Sequence, residues 1–523
     1  MDDQISLEQE RELKLVFRRK KEFPNRHTFG RKLNQALNTA GGDSRIQRLS
    51  TGKIVSEYWD TDMFSLAEAG ISLRVRSDGT ARWTTAKALS AEDDLSPDEI
   101  LRHRLEVHAT DPVPENTAPD PAMFRDTPIG ARLLAAVDKK PLRSIFVTEI
   151  ERDVYEILVP DGTRIALMLD GGWIRSGTRA VPVREMELEW HAGERTTLYR
   201  IASHLCTAFR AVLGTEGKSD RGLRLAGRPA AAYCPEPLPF AGQDNSPGEA
   251  AAMAVRALLA RITVERTRFC RQPENPESLH DLRVDLRRLR SLIAFLKPCM
   301  EDSQHHMLRR AGCRLVRPTA ALREAEMLAN AWHRTLRTGP DAPAVPDRIG
   351  RRIARYRKRC ERQALRGLSR VRWTRSMLEL SLWASEVSPA GTATLTEAYV
   401  KGRLASFWED LLRCGRQASP DRPSDYHRLR VAVKRYRYLS AFFPGFHAGD
   451  LLQGGDDTEL LRKLQDALGD WHDAQVNLEQ ACSLLSDLRG ASVFFAWLAR
   501  ECAQRLEACE RLLEGCFGDE RVR

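Results

Sequence analysis

The sequence predicts an α+β protein of two domains, a strand-rich half followed by an all-α half with an internal duplication. Three observations predict it. Up to about residue 228, charged and apolar residues alternate with a period of two in short runs, broken by turns such as Asp78-Gly79, Asp161-Gly162 and Asp170-Gly171-Gly172. From about residue 248 to 516 the period becomes 3.6 and Leu, Ala, Arg and Glu dominate, with breaks at Pro273–Pro276, Gly339–Pro346 and Pro420–Pro423. Within that second half, two stretches of 19 residues repeat each other. Between the halves, Arg228 to Pro247 holds five prolines and reads as a linker. The expected boundaries are therefore 5–228, a linker at 229–247, and 248–516.

Bulk composition limits the function classes. A chain of 523 residues has room for two or three domains. With 42% hydrophobic and 29% charged residues it is globular rather than disordered. A net charge of +10 and a pI near 9.1 point to an anionic partner: nucleic acid, an anionic membrane or a phosphate compound. No apolar run reaches the ~18 residues of a membrane span, and the acidic, polar N-terminus shows no signal peptide. Eleven cysteines are scattered from Cys206 onward without a C-x-x-C, so reduced thiols in a cytoplasm are expected, with neither a zinc site nor a disulfide framework.

The strands are taken in order. In EQERELKLVF (8–17), Glu10, Glu12 and Lys14 share one face and Leu13, Leu15 and Phe17 the other. In LRVR, Arg74 and Arg76 oppose Leu73 and Val75; in WTTAK, Thr85 and Lys87 share a face. In RHRLEVH, Arg102, Arg104, Glu106 and His108 oppose Leu105 and Val107. In REMELEW, Glu185, Glu187 and Glu189 oppose Met186, Leu188 and Trp190. Taken singly, each strand fits the solvated face of an antiparallel sheet. Taken together, the charges are sorted, with carboxylate strands at the two ends and arginine and lysine strands between. A closed barrel with a polar interior would bring them together, its apolar outside covered by helices near 26–40 and 195–212. Carboxylates suit Mg²⁺ or Mn²⁺, and clustered Arg and Lys suit phosphate oxygens, so one cavity holding both would take a metal–polyphosphate complex.

Glu10-Arg11-Glu12-Leu13-Lys14 resembles the E-x-E-x-K signature of the CYTH superfamily, the triphosphate tunnel metalloenzymes. Its expected companions follow in order: Tyr58-Trp59-Asp60-Thr61, Leu73-Arg74-Val75-Arg76, Thr85-Ala86-Lys87, Arg104-Leu105-Glu106, Glu185 to Glu189, and Lys218 with Arg221-Gly222. The resemblance covers about 5–226. It implies an eight-stranded antiparallel tunnel and Mg²⁺- or Mn²⁺-dependent hydrolysis of inorganic triphosphate. It places metal on Glu10, Glu12 and a glutamate among Glu185, Glu187 and Glu189, and phosphate on Lys14, Arg74, Arg76, Lys87, Arg104, Arg152 and Lys218. Glu12 and Lys14 are the implied catalytic residues; whether Lys14, a glutamate or a metal-bound hydroxide activates the water stays open. One departure stands out: Ala166, in Ile165-Ala166-Leu167-Met168-Leu169-Asp170, occupies a position where the family commonly has glutamate.

In the second half, ESLHDLRVDLRRLRSLIAF (277–295) and SDYHRLRVAVKRYRYLSAF (424–442) align without a gap, 147 residues apart. On a helix, His280, Arg283, Arg287 and Arg290 fall in one quadrant, with Leu282, Leu286, Leu289 and Ile293 opposite. His427, Arg430, Lys434 and Arg437 repeat the pattern, and Arg288 and Arg435 extend it. Like charges at this spacing cost helix stability unless a polyanion neutralises them. The pattern resembles the CHAD family, whose signature H-x-x-R-V-x-x-[RK]-R-x-R is present in both copies. Leu464 to Asp473 resembles the motif that follows the second copy, whereas Leu322-Arg323-Glu324-Ala325-Glu326 is a poorer match in the first half. The resemblance covers about 248–516 and implies two pseudo-symmetric helical bundles, a basic groove, and binding of inorganic polyphosphate with association to polyphosphate granules. Nucleic acid is the second reading; few aromatics flank the basic faces, which argues against base stacking. His305-His306 are expected to be solvated.

The expected protein is thus a cytoplasmic triphosphatase tunnel joined to a polyphosphate-binding helical domain. The two helices are expected to share one groove. The alternatives are a purely polyphosphate-binding protein without turnover, which Ala166 favours, and a CYTH-type adenylate cyclase.

Overall fold

In the computed structural model the described residues are 5–38, 43–88, 102–109, 114, 117–228, 247–338, 347–386, 396–419, 422–443 and 457–517. The expected linker up to residue 246, the expected break at 339–346, and residues 420–421 of the break at 420–423 lie outside them. The chain divides into two compact units, residues 1–236 with 374–386, and residues 237–373 with 387–523.

The first unit contains β1 (Ile5–Val16), α1 (Arg26–Asn38), β2 (Arg45–Asp60), α2 (Ser65–Glu68), β3 (Ile71–Ser77), β4 (Arg82–Ala88), β5 (Arg102–Ala109), α3 (Gly130–Val137), β6 (Arg143–Leu158), β7 (Arg164–Ser176), β8 (Arg179–Ala192), α4 (Arg195–Ala208), β9 (Val212–Leu213) and α5 (Lys218–Leu225). The strands pair antiparallel in the order β5-β4-β3-β2-β6-β7-β8-β1, with the short β9 beside β1. Pairing of β5 with β1 closes this sheet into the expected eight-stranded barrel. Closure is possible because β1 serves two partners: its first part, Ile5 to Glu12, pairs with β5, and its last part, Glu12 to Val16, with β8.

Period-two alternation then sorts the side chains. Leu13, Leu15, Leu167, Leu169, Met186 and Leu188 are fully buried on the outside, where α4 packs on β1 and β8. Leu73, Ala86 and Val107 of β3, β4 and β5 pack with Leu66 of α2 and with Phe124, Ile129 and Leu133. The helices expected near 26–40 and 195–212 are α1 and α4. Phe29 of α1 meets Tyr155 of β6 edge-on at 5.4 Å, and the buried Asp153 carboxylate accepts from Arg26 at 2.7 Å and from Thr51 Oγ1 at 2.6 Å. At one end of the barrel, α5 packs on Tyr58, Phe146, Ile150, Ile174 and Val183. Gly222 is required there, because a Cβ would lie 2.2 Å from the Phe146 ring.

The second unit is built from α6 (Pro247–Arg271), α7 (Pro276–Phe295), α8 (Asp302–Val316), α9 (Ala320–Thr338), α10 (Asp347–Leu368), the start of α11 (Val371–Glu386), α12 (Glu397–Gln417), α13 (Pro423–Phe442), α14 (Asp457–Leu485) and α15 (Ala491–Phe517). Its duplicated stretches are α7 and α13. Asn275 caps α7 by accepting from the Glu277 amide at 2.9 Å, and Pro276 and Pro423 open the two helices. The expected apolar stripes are the buried ones: Leu282, Leu286, Leu289 and Ile293, then Leu429, Val433 and Tyr436. A second core joins Leu328 and Trp332 of α9, Ile349 and Ile353 of α10, Leu485 of α14 and Phe494 of α15. Among the described residues no helix is long and apolar enough to cross a membrane.

Candidate functional site

The inward face of the barrel encloses a cavity of about 180 Å³. Glu10, Glu12, Lys14, Arg74, Arg76, Lys87, Arg104, Arg152, Glu187, Glu189 and Lys218 all line it. Sheet register explains how they meet. Glu10 lies opposite Arg104, Lys87 opposite Glu106, Lys14 opposite Glu187, and Arg152 opposite Asp170. Closing the sheet converts the sorted strands into neighbouring opposite charges.

Two ion networks result. Toward β4 and β5, Lys87 donates to Glu10 at 2.7 Å and contacts Glu106, and Arg74 Nη2 donates to Glu106 at 2.7 Å. Toward β7 and β8, Glu187 accepts Lys14 at 2.6 Å, Arg152 at 2.8 Å and Lys218 at 2.8 Å. Lys218 Nζ is also 2.7 Å from Asp170 and 2.6 Å from Glu185, and Arg221 Nη2 donates to Glu185 at 2.5 Å. Burial disfavours these charges, but the partners outweigh it. Lys14, Lys87 and Arg74 hold Glu185, Glu187, Glu10 and Glu106 below the ordinary carboxylate range, and Arg152 with Lys218 does so for Asp170. Against its own burial, Lys14 is raised by Glu12, Glu185 and Glu187.

Arg76 differs from the rest. It is enclosed in the tunnel and its Nε has no hydrogen-bond partner among the described residues. Burial first, then Arg74 and Arg152, push its guanidinium down to about 10.

Of the expected metal set, Glu10, Glu12, Glu187 and Glu189 line the cavity, while a tighter carboxylate trio draws two of the β8 glutamates together with Asp170. Among the described residues, Asp170, Glu185 and Glu187 bring carboxylate oxygens within 4.8 Å of one another. The reason is the divided pairing of β1: at Glu10 the strand has left β8 and faces Arg104 and Lys87. Asp170 and Glu185 stand behind the lining, both fully buried. Three carboxylates suit a hard divalent cation, but here Lys218 Nζ lies 2.6 Å and Lys14 Nζ 3.6 Å from Glu185 Oε1 and neutralise it. Ala166 registers with Glu189, which registers with Glu12, so a glutamate at 166 would complete a second trio one level away. Asp170, Glu106, His108 and Arg221 were not among the expected site residues. Glu106 and His108 sit in the same alternating run as Arg104, which was the signal available; the role of Asp170 depends on register.

The second unit holds a groove of about 260 Å³ lined from both duplicated helices. His280, Arg283 and Arg287 of α7 face Arg430 and Lys434 of α13. Arg283 donates to Thr319 Oγ1 at 3.1 Å and Arg287 to the Tyr438 hydroxyl at 3.2 Å. The His427 ring lies 5.3 Å from that of His472, tilted by 50°, and His472 lines the groove. Burial, then Arg430 and Arg287, push the Lys434 ammonium down to about 7. Burial, Arg430 and His427 take His472 down to about 4. Five expected residues are not in the lining: His427, beside His472, and four others. Arg288 donates to the fully buried Asp285 at 2.9 Å, Arg290 packs on Gly312, and Arg435 sits over the Phe407 ring at 5.6 Å. Arg437 is not among the lining residues. The groove also carries residues the sequence reading did not assign: Arg323, and a rim of Glu324, Asp466, Asp470 and Asp473, with Asp473 3.8 Å from Arg430.

A closed antiparallel barrel with a charged interior, followed by a duplicated helical unit with a basic groove, defines a two-part, anion-oriented class of protein. The family comparison is specific for each part: residues 8–222 match the CYTH domain and residues 253–482 the CHAD domain, so the chain carries a CYTH domain followed by a CHAD domain. Among solved structures it is similar to the CHAD domain from the plant Ricinus communis, with 21% identity, 54% of this chain and 96% of that chain covered, and a TM-score of 0.43. It is similar to PptA from Streptomyces chartreusis, with 20% identity, 53% and 100% covered, and a TM-score of 0.37. The third is HpAC1 from Hippeastrum, described as an adenylyl cyclase with a dominant triphosphatase activity, with 18% identity, 42% and 97% covered, and a TM-score of 0.28.

Proposed function

We propose that the tunnel hydrolyses inorganic triphosphate with Mg²⁺ or Mn²⁺ and that the helical unit binds inorganic polyphosphate. The observation that carries the tunnel reading is Arg76, a buried guanidinium with an unpartnered Nε between Arg74 and Arg152. Burial and the two arginines outweigh the pull of Glu106 and Tyr58 on this charge, and a phosphate chain supplies several anionic oxygens at once. Arg74, Arg76, Arg152, Lys14 and Lys87 would hold the phosphoryl oxygens and neutralise developing charge. Glu187, with Glu10, Glu12 and Glu189 of the lining, would hold the metal, whose part is to polarise a phosphoryl oxygen, and Asp170 and Glu185 stand behind them. Lys218 and Arg221 keep those two carboxylates ionised. The groove reading rests on Arg283, Arg287, Arg430 and Lys434 converging from both duplicated helices, where burial first and then Arg430 and Arg287 lower the Lys434 ammonium, a cost that a polyanion would relieve.

The second reading, a polyphosphate-binding protein without turnover, has Ala166 and the complete occupation of the trio by Lys14, Lys218, Arg152 and Arg221 in its favour. One assay separates the two: phosphate release from triphosphate, long polyphosphate, ATP and thiamine triphosphate, with each metal. Turnover of triphosphate with either metal is expected. Binding without release on every substrate would replace the first reading by the second.

A further inference from the structure

The basicity of the chain is concentrated away from both sites. α10 carries nine basic and two acidic residues, a net charge of +7, against +10 for the whole chain. Arg351, Arg355, Lys358, Arg359, Arg362 and Arg366 are all exposed. At the helical step they fall within an arc of about 100° and span about 22 Å. The opposite face, with Ile349, Ile353, Cys360, Ala364 and Leu368, is buried, and Gly350 lets Trp332 of α9 approach closely. The row is therefore held rigidly outward.

Nearby carboxylates do little to neutralise it. Glu361 is buried and takes Lys358 at 2.6 Å, and Asp487 takes Arg352, off the row, at 3.0 Å. Arg355 and Arg362 donate to the carbonyls of Arg351 and Lys358 within the helix, each at 3.3 Å. Cations four residues apart repel and weaken a helix unless an anion lies along them.

We propose that this face of α10 is a second binding surface for the phosphate backbone of a long inorganic polyphosphate, outside the groove between α7 and α13. The assignment rests on the reading that the helical unit binds polyphosphate. The row is a band that runs about 22 Å along one helix face, and a linear polyanion can lie along its length. The buried apolar face leaves nothing to insert into a membrane. The one aromatic residue of α10, Tyr356, is hydrogen-bonded with Cys360 rather than offered for base stacking, which favours an anion without bases.

The test compares the full chain with a quadruple variant, Arg355→Gln, Arg359→Gln, Arg362→Gln and Arg366→Gln. Glutamine keeps helix propensity, so the free variant should melt at or above the wild-type temperature. Binding of long polyphosphate is measured from low to high KCl. The expected result is at least about tenfold weaker binding at low salt and a log–log salt slope smaller by about 3, the contribution of four lost contacts. Triphosphate binding should not change. An unchanged slope overturns the surface while leaving the groove reading intact. The groove variant Arg287→Ala/Lys434→Ala reports separately: wild-type binding there defeats the groove reading, not this one. A loss shared equally with single-stranded DNA of matched charge, or seen only with phosphatidylserine vesicles, overturns the assignment to polyphosphate.

Discussion

At the scale of single residues, the tunnel trades stability for binding at Arg76. Its guanidinium is buried beside two other arginines, so Arg76→Met should leave the melting temperature unchanged or raise stability by about 1–3 kcal/mol. The same change should weaken triphosphate binding at least about tenfold, the loss of one charge-assisted contact. Titration calorimetry with a metal-free triphosphate reads binding, and a thermal melt reads stability; a destabilised variant with intact affinity would make Arg76 a structural residue. Ala166 offers the converse experiment. Ala166→Glu places a carboxylate in register beside Glu189 and, through it, Glu12. The variant should bind Mn²⁺ or Mg²⁺ more tightly and be less stable in chelator, by about 1–3 kcal/mol for an unsatisfied buried group. Metal affinity equal to wild type would show that this level of the tunnel does not hold metal.

At the scale of elements, α7 and α13 act as one pair because their basic faces meet in a single groove. Arg287 and Lys434 influence each other there, since Arg287 is among the charges that depress Lys434. A double-mutant cycle with Arg287→Ala and Lys434→Ala on polyphosphate affinity should therefore be non-additive, by about 0.5–3 kcal/mol. Strict additivity would mean two independent sites. Lys434 also sets a pH dependence. Its free-state value is about 7, and a bound polyanion moves it back up. Above that pH the empty groove holds a neutral lysine, so binding takes up a proton and affinity falls as pH rises, by up to about tenfold per pH unit. Lys434→Arg keeps its charge and should flatten the profile between about pH 7 and about pH 9; a wild-type profile that is already flat would remove Lys434 from the binding face.

At the scale of the whole molecule, the two units should differ in their response to acid. In the tunnel, Glu10, Glu106, Asp170, Glu185 and Glu187 titrate below their ordinary values. Their contribution is complete above about pH 4, the unfolded-state range, and is lost as pH falls through the folded values. In the helical unit, burial pushes Glu265 and Glu326 up to about 7. Between about pH 4 and about pH 7 the folded unit holds extra protons on these two carboxyls but fewer on His472, His280 and His427, which burial lowers, so the two sets oppose each other and acid changes that unit's stability little. Scanning calorimetry from about pH 7 to about pH 3 should resolve one transition that stays nearly level and another that holds and then drops. Parallel movement of both transitions would refute the assignment.

Local pattern alone determined the change of period near residue 248, the inward faces of the strands, the duplicated helices with their buried stripes, and the motif residues from Glu10 to Lys218. Each of these follows from chain geometry, because the direction of a side chain repeats every two residues in a strand and every 3.6 in a helix. Tertiary structure decided the partners. The two-way pairing of β1 sent Glu10 to Lys87 and left Asp170, Glu185 and Glu187 as the carboxylate trio. Asp285, only one more acid in the sequence, turned out buried and drew Arg288 out of the basic row, while Asp473 and Glu324 came in from other helices to edge the groove. The arginines of α10 were plain in the sequence, but their common outward face depended on the burial of Ile353 and Leu368 against other helices. Cross-strand register and helix packing join residues far apart in the chain, and no local period encodes which of them will meet.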